Sequence, residues 1–142
     1  TKVEWKIAEA LPRVNIDENQ MSQVFYNIVT NAREAMAQEG KLVIEVDQTR
    51  LDRDNALRLK EGAYCRLVFR DQGPGIREAL IPKLFDPYFS TKEMGNQKGM
   101  GLGLPICYSI MKKHNGYIQI ESREGVGTTV TLMLPAALDG NH

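Results

Sequence analysis

The sequence has few of the residues that build metal centres and disulfide frameworks. Among its 142 residues are only two cysteines, Cys65 and Cys107, and two histidines. Both cysteines lie in apolar stretches without CxxC spacing, which argues against a zinc module and a disulfide scaffold. We therefore expect two buried, reduced thiols.

The sequence also lacks a charge imbalance and a long apolar run. Its 18 Lys and Arg balance 18 Asp and Glu, so the charge gives no reason to expect a nucleic acid or an anionic membrane as a partner. No apolar run approaches the roughly 18–20 residues that span a bilayer, and the N-terminal TKVEWKIAEA lacks the layout of a secretion signal. We expect one globular, cytoplasmic domain over residues 1–142, with any membrane anchor of a parent protein lying in other segments.

Glycine and proline, in contrast, are concentrated in one region. Six of the 12 glycines and four of the six prolines lie between Gly73 and Pro105. Glycine allows backbone angles and close approaches that other residues forbid. This concentration therefore indicates a functional site built from loops.

Hydrophobic periodicity predicts about six strands and three helices. The strands are predicted over residues 3–8, 14–17, 41–48, 64–70, 117–123 and 128–134, and the helices over residues 17–40, 77–84 and 104–115. Asp17 is expected to cap the first helix and Gly40 to end it. The order of the elements predicts an α+β fold, a two-layer α/β sandwich with about three helices on one face of a mixed, mostly antiparallel sheet.

The first predicted helix carries a row of polar side chains beside its apolar face. Asn27, Asn31 and Glu34 follow each other at helical spacing, so they lie along one side. Such a row of oxygens could hold a hard cation. The alternative is a polar helix edge joined by hydrogen bonds.

A second candidate site is DQGPG, which begins at Asp71 where a predicted strand ends. A carboxylate there could accept the exocyclic amine of a purine, and Gly73 and Gly75 would let the ligand approach the backbone. The alternative is a turn in which Asp71 bonds only to nearby backbone.

A third candidate is the segment KGMGLGLP, which leads from Lys98 into the last predicted helix. Free amides and the positive end of that helix suit a phosphate chain. The segment fits neither a Rossmann fingerprint nor a Walker A loop. A flexible linker is the alternative.

A fourth candidate is FDPYFSTK, from Phe85 to Lys92, whose aromatics precede the glycine-rich segment. This arrangement suits a lid anchored at one end, with Lys92 and Lys98 reaching phosphates. Both lysines could equally be solvated surface residues.

Together, in this order and spacing, the four segments resemble the catalytic and ATP-binding domain of sensor histidine kinases. The superfamily of that domain also includes DNA gyrase, Hsp90 and the MutL repair proteins. The N box is matched by NIVTNAREA from Asn27, the G1 box by DQGPG from Asp71, the F box by FDPYF from Phe85, and the G2 box by GMGLGL from Gly99. The later segments KKHNG and GVGTT are also similar to this family, and the arrangement looks most like nitrogen-regulation-type sensors.

This resemblance implies the Bergerat fold, ATP and Mg²⁺ as cofactors, and a role for each motif. Asp71 would accept the adenine amine, Asn31 would coordinate Mg²⁺ with Asn27 beside it, and residues 86–98 would form the ATP lid. The implied catalytic residues are Asn27, Asn31 and Lys92. The implied nucleotide-binding residues are Asn31, Glu34, Asp71, Gly73, Gly75, Ile76, Phe85, Lys98, Gly99, Met100, Gly101, Leu102, Gly103 and Leu104.

Two positions depart from the usual pattern of the family. Many histidine kinases have Lys or Arg about where Glu34 stands in this chain. Many also have an arginine just after the F box, where this chain has Ser90-Thr91-Lys92. We expect Lys92 to take over the contact with the γ-phosphate.

The resemblance implies a protein-histidine kinase that moves the γ-phosphoryl of ATP to a histidine on a separate helical dimerisation domain, and indirectly serves a response regulator. The acceptor histidine normally precedes the N box, so we expect this chain to bind Mg-ATP without phosphorylating itself. We also expect it to be monomeric and to contact neither nucleic acid nor membrane. His114 is expected to be a cation near the negative end of a helix.

Two other functions stay open. One is a self-contained ATPase of the gyrase, Hsp90 or MutL kind, which uses an N-box glutamate to activate water. This chain has Asn27 at that position, and an amide is not a useful base, which leaves Glu34 as the candidate. The other is a non-catalytic module that binds nucleotide or partner proteins.

Overall fold

The computed structural model describes residues 2–36, 40–73 and 104–137. These residues form five strands and two helices. In chain order they are β1 (Lys2–Ile7), α1 (Glu18–Ala35), β2 (Lys41–Leu51), β3 (Gly62–Asp71), α2 (Leu104–Lys113), β4 (Tyr117–Arg123) and β5 (Gly127–Pro135). The strands make one sheet in the order β1-β2-β3-β5-β4. Only the β1–β2 pair is parallel among these strands, which confirms the mixed, mostly antiparallel sheet.

Both described helices pack on the same face of the sheet. Every second residue of β2 (Leu42, Ile44 and Val46) is buried, because alternate side chains of a strand point to one face. The helices add apolar residues at helical spacing to the same cluster. The core cluster contains Met21, Val24, Ile28, Ala32, Met36, Leu42, Ile44, Val46, Cys65, Leu67, Phe69, Leu104, Cys107, Ile110, Met111, Ile118, Ile120, Val130, Leu132 and Leu134. The two-layer α+β prediction is therefore confirmed, while the predicted helix over residues 77–84 lies outside the described residues.

The opposite face of the sheet carries two ion pairs between its central strands, β2 and β3. Arg66 of β3 makes a bidentate ion pair with Asp47 of β2, with Nε 2.9 Å from Oδ1 and an Nη nitrogen 2.8 Å from Oδ2. Arg70 Nε lies 3.0 Å from a carboxylate oxygen of Glu45. These pairs are partly exposed, so each contributes about 1 kcal/mol or less to stability. The largest cluster of buried apolar residues lies on the helical face.

The start of α1 was predicted correctly, but its end was not. The side chain of Asp17 accepts a hydrogen bond of 3.0 Å from the Gln20 backbone N–H and so caps the helix. The helix ends at Ala35, well before Gly40, and Met36 is its C-cap. Because β2 begins at Lys41, the chain has to leave the helix earlier in order to enter the sheet.

The strand predicted over residues 14–17 is wrong. Val14 makes only an isolated bridge to Ala136, and Asp17 is taken up by the cap of α1. Conversely, β2 extends to Leu51 because it pairs with β3 up to Gly62. The residues at this end of the hairpin are mostly polar, so the sequence pattern did not indicate that they pair.

No helix among the described residues is long and apolar enough to cross a membrane.

The expected role of His114 is also wrong. Its Nε2 accepts a hydrogen bond of 3.0 Å from the backbone N–H of Asp17, so this nitrogen carries no proton. Its Nδ1 lies 2.8 Å from the Ile110 carbonyl oxygen and donates to it. His114 is therefore a neutral link from the end of α2 to the start of α1, and not a cation at a helix end.

Candidate nucleotide site

Asp71 and Asn31 both line a cavity between α1, α2 and the sheet. Each of the strands and helices around it contributes at least one apolar side chain, and α1 and β3 also contribute polar ones that were predicted as site residues. Its walls are Ile28, Asn31, Ala32, Leu42, Phe69, Asp71, Leu104, Thr128 and Val130. The cavity is thus largely apolar with a few polar groups at its wall.

Asp71, the last residue of β3, presents a fixed carboxylate at this cavity. Its Oδ1 accepts hydrogen bonds from the backbone N–H groups of Gly73, at 2.9 Å, and Thr128, at 3.2 Å. Burial raises the pKa of Asp71, and these two bonds partly oppose that rise. The arrangement holds a partly desolvated acceptor in one orientation, which suits a ligand that donates a hydrogen bond.

Glycine at position 127 allows β5 to reach Asp71. Gly127 has a φ of +152°, and a Cβ at this position would collide with the Asp71 carbonyl oxygen. The absence of that Cβ lets the strand begin directly against the end of β3. The next residue, Thr128, can therefore bond to the Asp71 carboxylate.

Gly73, on the other side of Asp71, is also closely surrounded, though less tightly than Gly127. A Cβ on Gly73 would lie 3.2 Å from Asp71 Oδ1 and 3.3 Å from Ala35 Cβ. The turn after β3 thus packs tightly against the end of α1. This contact places the helix that carries Asn31 next to the strand that ends in Asp71.

The polar row on α1 divides into three different environments. Asn31 is buried, with 7% of its surface exposed, and lines the cavity with Asp71. Asn27 is half-buried, and its Nδ2 lies 3.9 Å from Cys107 Sγ on α2. Glu34 is exposed and is not among the residues that line the cavity. An edge-to-face contact between Phe25 and Phe69, with ring centroids 5.5 Å apart, fixes this helix on the sheet.

The two thiols are buried and unpaired, as expected. Cys107 packs between α1 and α2, where its Sγ lies 3.9 Å from the Val24 carbonyl oxygen. Burial raises the pKa of Cys107 to about 11, so the thiol stays protonated. These cysteines belong to the core and not to the chemistry of the site.

Ten predicted site residues from both the adenine and the phosphate sides lie outside the described residues. These are Gly75, Ile76, Phe85, Lys92, Lys98, Gly99, Met100, Gly101, Leu102 and Gly103. Leu104, in contrast, begins α2, is 1% exposed and lines the cavity. Sequence reasoning gave no role to Thr128, although it lies in GVGTT, a segment noted as similar to the family.

Comparison with known proteins agrees with this geometry. Residues 16–138 match the family described as "Histidine kinase-, DNA gyrase B-, and HSP90-like ATPase". The chain belongs to this family. Within it, the chain is an ATP-binding catalytic domain of the histidine kinase type, and its relatives are protein-histidine kinases.

The chain is similar to parts of several sensor kinases. It is 36% identical over 126 residues to sporulation kinase C of Bacillus subtilis, covering 89% of this chain and 26% of that protein. It is 39% identical over 131 residues to the C4-dicarboxylate transport sensor protein DctS of Rhodobacter capsulatus, covering 92% and 18%. The chain thus spans about a quarter or less of these curated relatives.

A solved structure shows the same fold. The catalytic domain of histidine kinase ThkA, in a nucleotide-free form, is 31% identical, with a TM-score of 0.72 and coverage of 95% of this chain and 78% of that chain. The assignment to nitrogen-regulation-type sensors stays a prediction.

Replacing Asp71 by Asn is expected to stabilise the folded chain at neutral pH. Because the pKa of Asp71 is raised above its usual 3.8, the folded state holds this proton more tightly than the unfolded state. The contribution of Asp71 to the free energy of unfolding therefore falls as the pH rises from its ordinary pKa of 3.8 through the raised pKa of the folded state. The amide oxygen of the variant still accepts both backbone bonds but carries no charge, so the advantage of the variant should grow over this range. Urea unfolding at several pH values measures it.

Asp47→Asn is the matched control, because it makes the same chemical change on the outer face and removes the ion pair with Arg66. It should lower the free energy of unfolding at pH 7 by about 1 kcal/mol or less. An Asp71→Asn variant less stable than the parent at pH 7 would show that the carboxylate serves the fold rather than a ligand.

Proposed function

We propose that this domain binds Mg-ATP in the cavity of Asp71 and Asn31 and donates the γ-phosphoryl to a histidine on a separate helical dimerisation domain of the same kinase. The observation that carries the proposal is the fixed, partly desolvated carboxylate of Asp71 beside the buried amide of Asn31. The resemblance of the chain to sensor kinases supports the phosphoacceptor and, indirectly, a response regulator as partners.

The adenine end of the ligand belongs at Asp71. A carboxylate held by two backbone N–H groups can only accept, which suits the exocyclic amine of adenine. Apolar side chains such as Ile28 and Phe69 supply the walls for a flat base. Gly73 keeps the turn free of a side chain where the base would approach, and Gly75 and Ile76 are proposed to continue this surface.

The phosphate end belongs at the start of α2. The helix begins at Leu104, so its free N–H groups and positive dipole end face the segment that precedes it. We assign phosphate contacts to Lys98 and to the backbone of residues 99–103, and the contact with the γ-phosphate to Lys92. Phe85 would anchor the lid over residues 86–98.

The residues fit a magnesium ion that arrives with the nucleotide. Asn31 lines the cavity, and an amide oxygen is a ligand of the kind that Mg²⁺ prefers. In the described part of the chain, no group of three or more His, Cys, Asp or Glu could hold a metal by itself. Phosphate oxygens would therefore complete the ligand set, with Asn27 close by. The ion, when bound, neutralises phosphate charge.

The contribution of the protein to catalysis is positioning and charge stabilisation. Asn27 is an amide that already contacts Cys107, so it is not a base for activating water. Glu34 is exposed and does not line the cavity. These placements favour phosphoryl transfer over a self-contained ATPase. We retain Glu34 as a proposed nucleotide contact at the rim.

Asp71→Asn should weaken ATP binding about tenfold to a hundredfold. The amide places a donor where the adenine amine also donates, and an unsatisfied buried group costs roughly 1–3 kcal/mol. Calorimetric titration of the chain with Mg-ATP measures the Kd, and Asp47→Asn should bind like the parent. An unchanged Kd in Asp71→Asn would contradict the adenine assignment.

Incubation with γ-labelled ATP tests the transfer. The chain alone should acquire no acid-labile label, whereas the same chain joined to a phosphoacceptor helical domain should label a histidine there. Acid-labile label on the isolated chain would contradict the proposal. Rapid hydrolysis of ATP by the chain alone, abolished in Glu34→Gln, would instead establish the self-contained ATPase.

A further inference from the structure

The first strand, β1, carries apolar side chains that are exposed although they lie on the helical face of the sheet. β1 is an edge strand, and its alternate residues Val3, Trp5 and Ile7 share one face. They pair in register with buried residues of β2, which identifies this face as the helical one. Their surfaces are nevertheless 42%, 53% and 58% exposed. At the other edge, Ile118 and Ile120 of β4 are buried in the core cluster.

The same three residues hold the outward backbone groups of this edge. The N–H groups of Lys2 and Ala8 donate to the carbonyl oxygens of Gly40 and Val46, at 3.0 and 2.8 Å. In a parallel ladder, each residue points its N–H and C=O to the same side, and successive residues alternate between sides. The even-numbered residues of β1 therefore bond to β2, and the odd-numbered residues point their N–H and C=O groups away from it. Such an edge is a template for a further strand.

The outer face of β1, away from the helices, carries one charge of each sign. Glu4 and Lys6 flank Trp5 in the sequence and lie on the opposite face of the strand. Both side chains are exposed, and their contact within the strand is long, at 3.8 Å. An antiparallel strand of the same sequence, centred on Trp5, would set Glu4 of one strand opposite Lys6 of the other. The strand is thus complementary in charge to a second copy of itself.

We propose that β1 pairs with β1 of a second copy of this chain, antiparallel and centred on Trp5, so that two five-stranded sheets join at their edges. The odd-numbered residues then form the hydrogen-bonded pairs, as their outward N–H and C=O groups require. Val3 meets the Ile7 of the second copy and the two Trp5 rings meet each other, which covers the apolar side chains. Glu4 and Lys6 fall at the non-hydrogen-bonded positions, where side chains approach more closely.

The pattern of β1 specifies this register. A shift of one residue would set odd-numbered residues opposite even-numbered ones and break the hydrogen bonds. A shift of two residues keeps the hydrogen bonds but sets Glu4 opposite Glu4, or Lys6 opposite Lys6, which is unfavourable. The register centred on Trp5 therefore satisfies the backbone, the apolar face and the charges together.

This proposal goes beyond the proposed function, because it depends on β1 alone and not on nucleotide binding. It departs from the monomer that was expected from the sequence. A contact built on one strand of six residues is small, so the association is weak and reversible.

Sedimentation of the whole chain at increasing concentration measures the association. The mass should rise from 16.0 kDa toward twice that value. Trp5 is the only tryptophan in the sequence, so the tryptophan emission should shift to shorter wavelength over the same concentrations as the ring loses water. Trp5→Lys should remain a monomer, because it sets like charges opposite each other at the centre of the pair. The matched control is Tyr26→Lys on α1, where the parent side chain is 70% exposed, and it should associate like the parent.

Two charge reversals on the exposed outer face test the register and serve if Trp5→Lys does not fold. Glu4→Lys sets lysine opposite lysine and Lys6→Glu sets glutamate opposite glutamate, so each variant alone should stay at 16.0 kDa. An equal mixture of the two variants should associate, because every contact between positions 4 and 6 then joins opposite charges. A parent chain that stays at 16.0 kDa up to millimolar concentration would overturn the proposal. Association that survives Trp5→Lys would also overturn it, and so would a mixture that associates no more than its components.

Discussion

The candidate site depends on the two hydrogen bonds that Asp71 Oδ1 accepts from the backbone of Gly73 and Thr128. The first bond shapes the turn that follows β3, and the second ties the end of β3 to the start of β5. The close approach requires that residue 127 have no side chain, since a Cβ there would collide with the Asp71 carbonyl oxygen. One carboxylate thus organises three backbone segments around the cavity.

This arrangement has an electrostatic cost that a purely structural role would not explain. Burial raises the pKa of Asp71 although two N–H groups donate to it. A carboxylate on the outer face, such as that of Asp47, finds a guanidinium partner instead. A desolvated acid in a cleft is a candidate functional group for this reason. The surrounding core, with α1 fixed by the Phe25–Phe69 contact, holds the site in place despite that cost.

Local signals in the sequence predicted much of this molecule. Alternation of apolar residues predicted both ends of β4 correctly. Asp17 correctly predicted the start of the first helix, because a cap depends only on residues within one turn. Asp71 and Asn31 were found as site candidates because their motifs are short and ordered, and the structure brings both to one cavity.

What the sequence could not predict are bonds between residues far apart in the chain. His114 and Asp17 are 97 residues apart, so helix position alone suggested a cation where the fold makes a neutral link. Thr128 and Asp71 are 57 residues apart, and only the pairing of β3 with β5 brings them together. A strand was predicted at Val14, but Val14 makes only an isolated bridge, since the cap of α1 begins three residues later.

The most direct test of the central claim is an NMR titration of the chain with Mg-ATP that follows the backbone amide signals of Gly73 and Thr128. Both amides donate to Oδ1 of the carboxylate whose other oxygen is assigned to adenine. The account predicts that both signals shift together and saturate with one ATP per chain. Saturable ATP binding that leaves these two signals unmoved would contradict it.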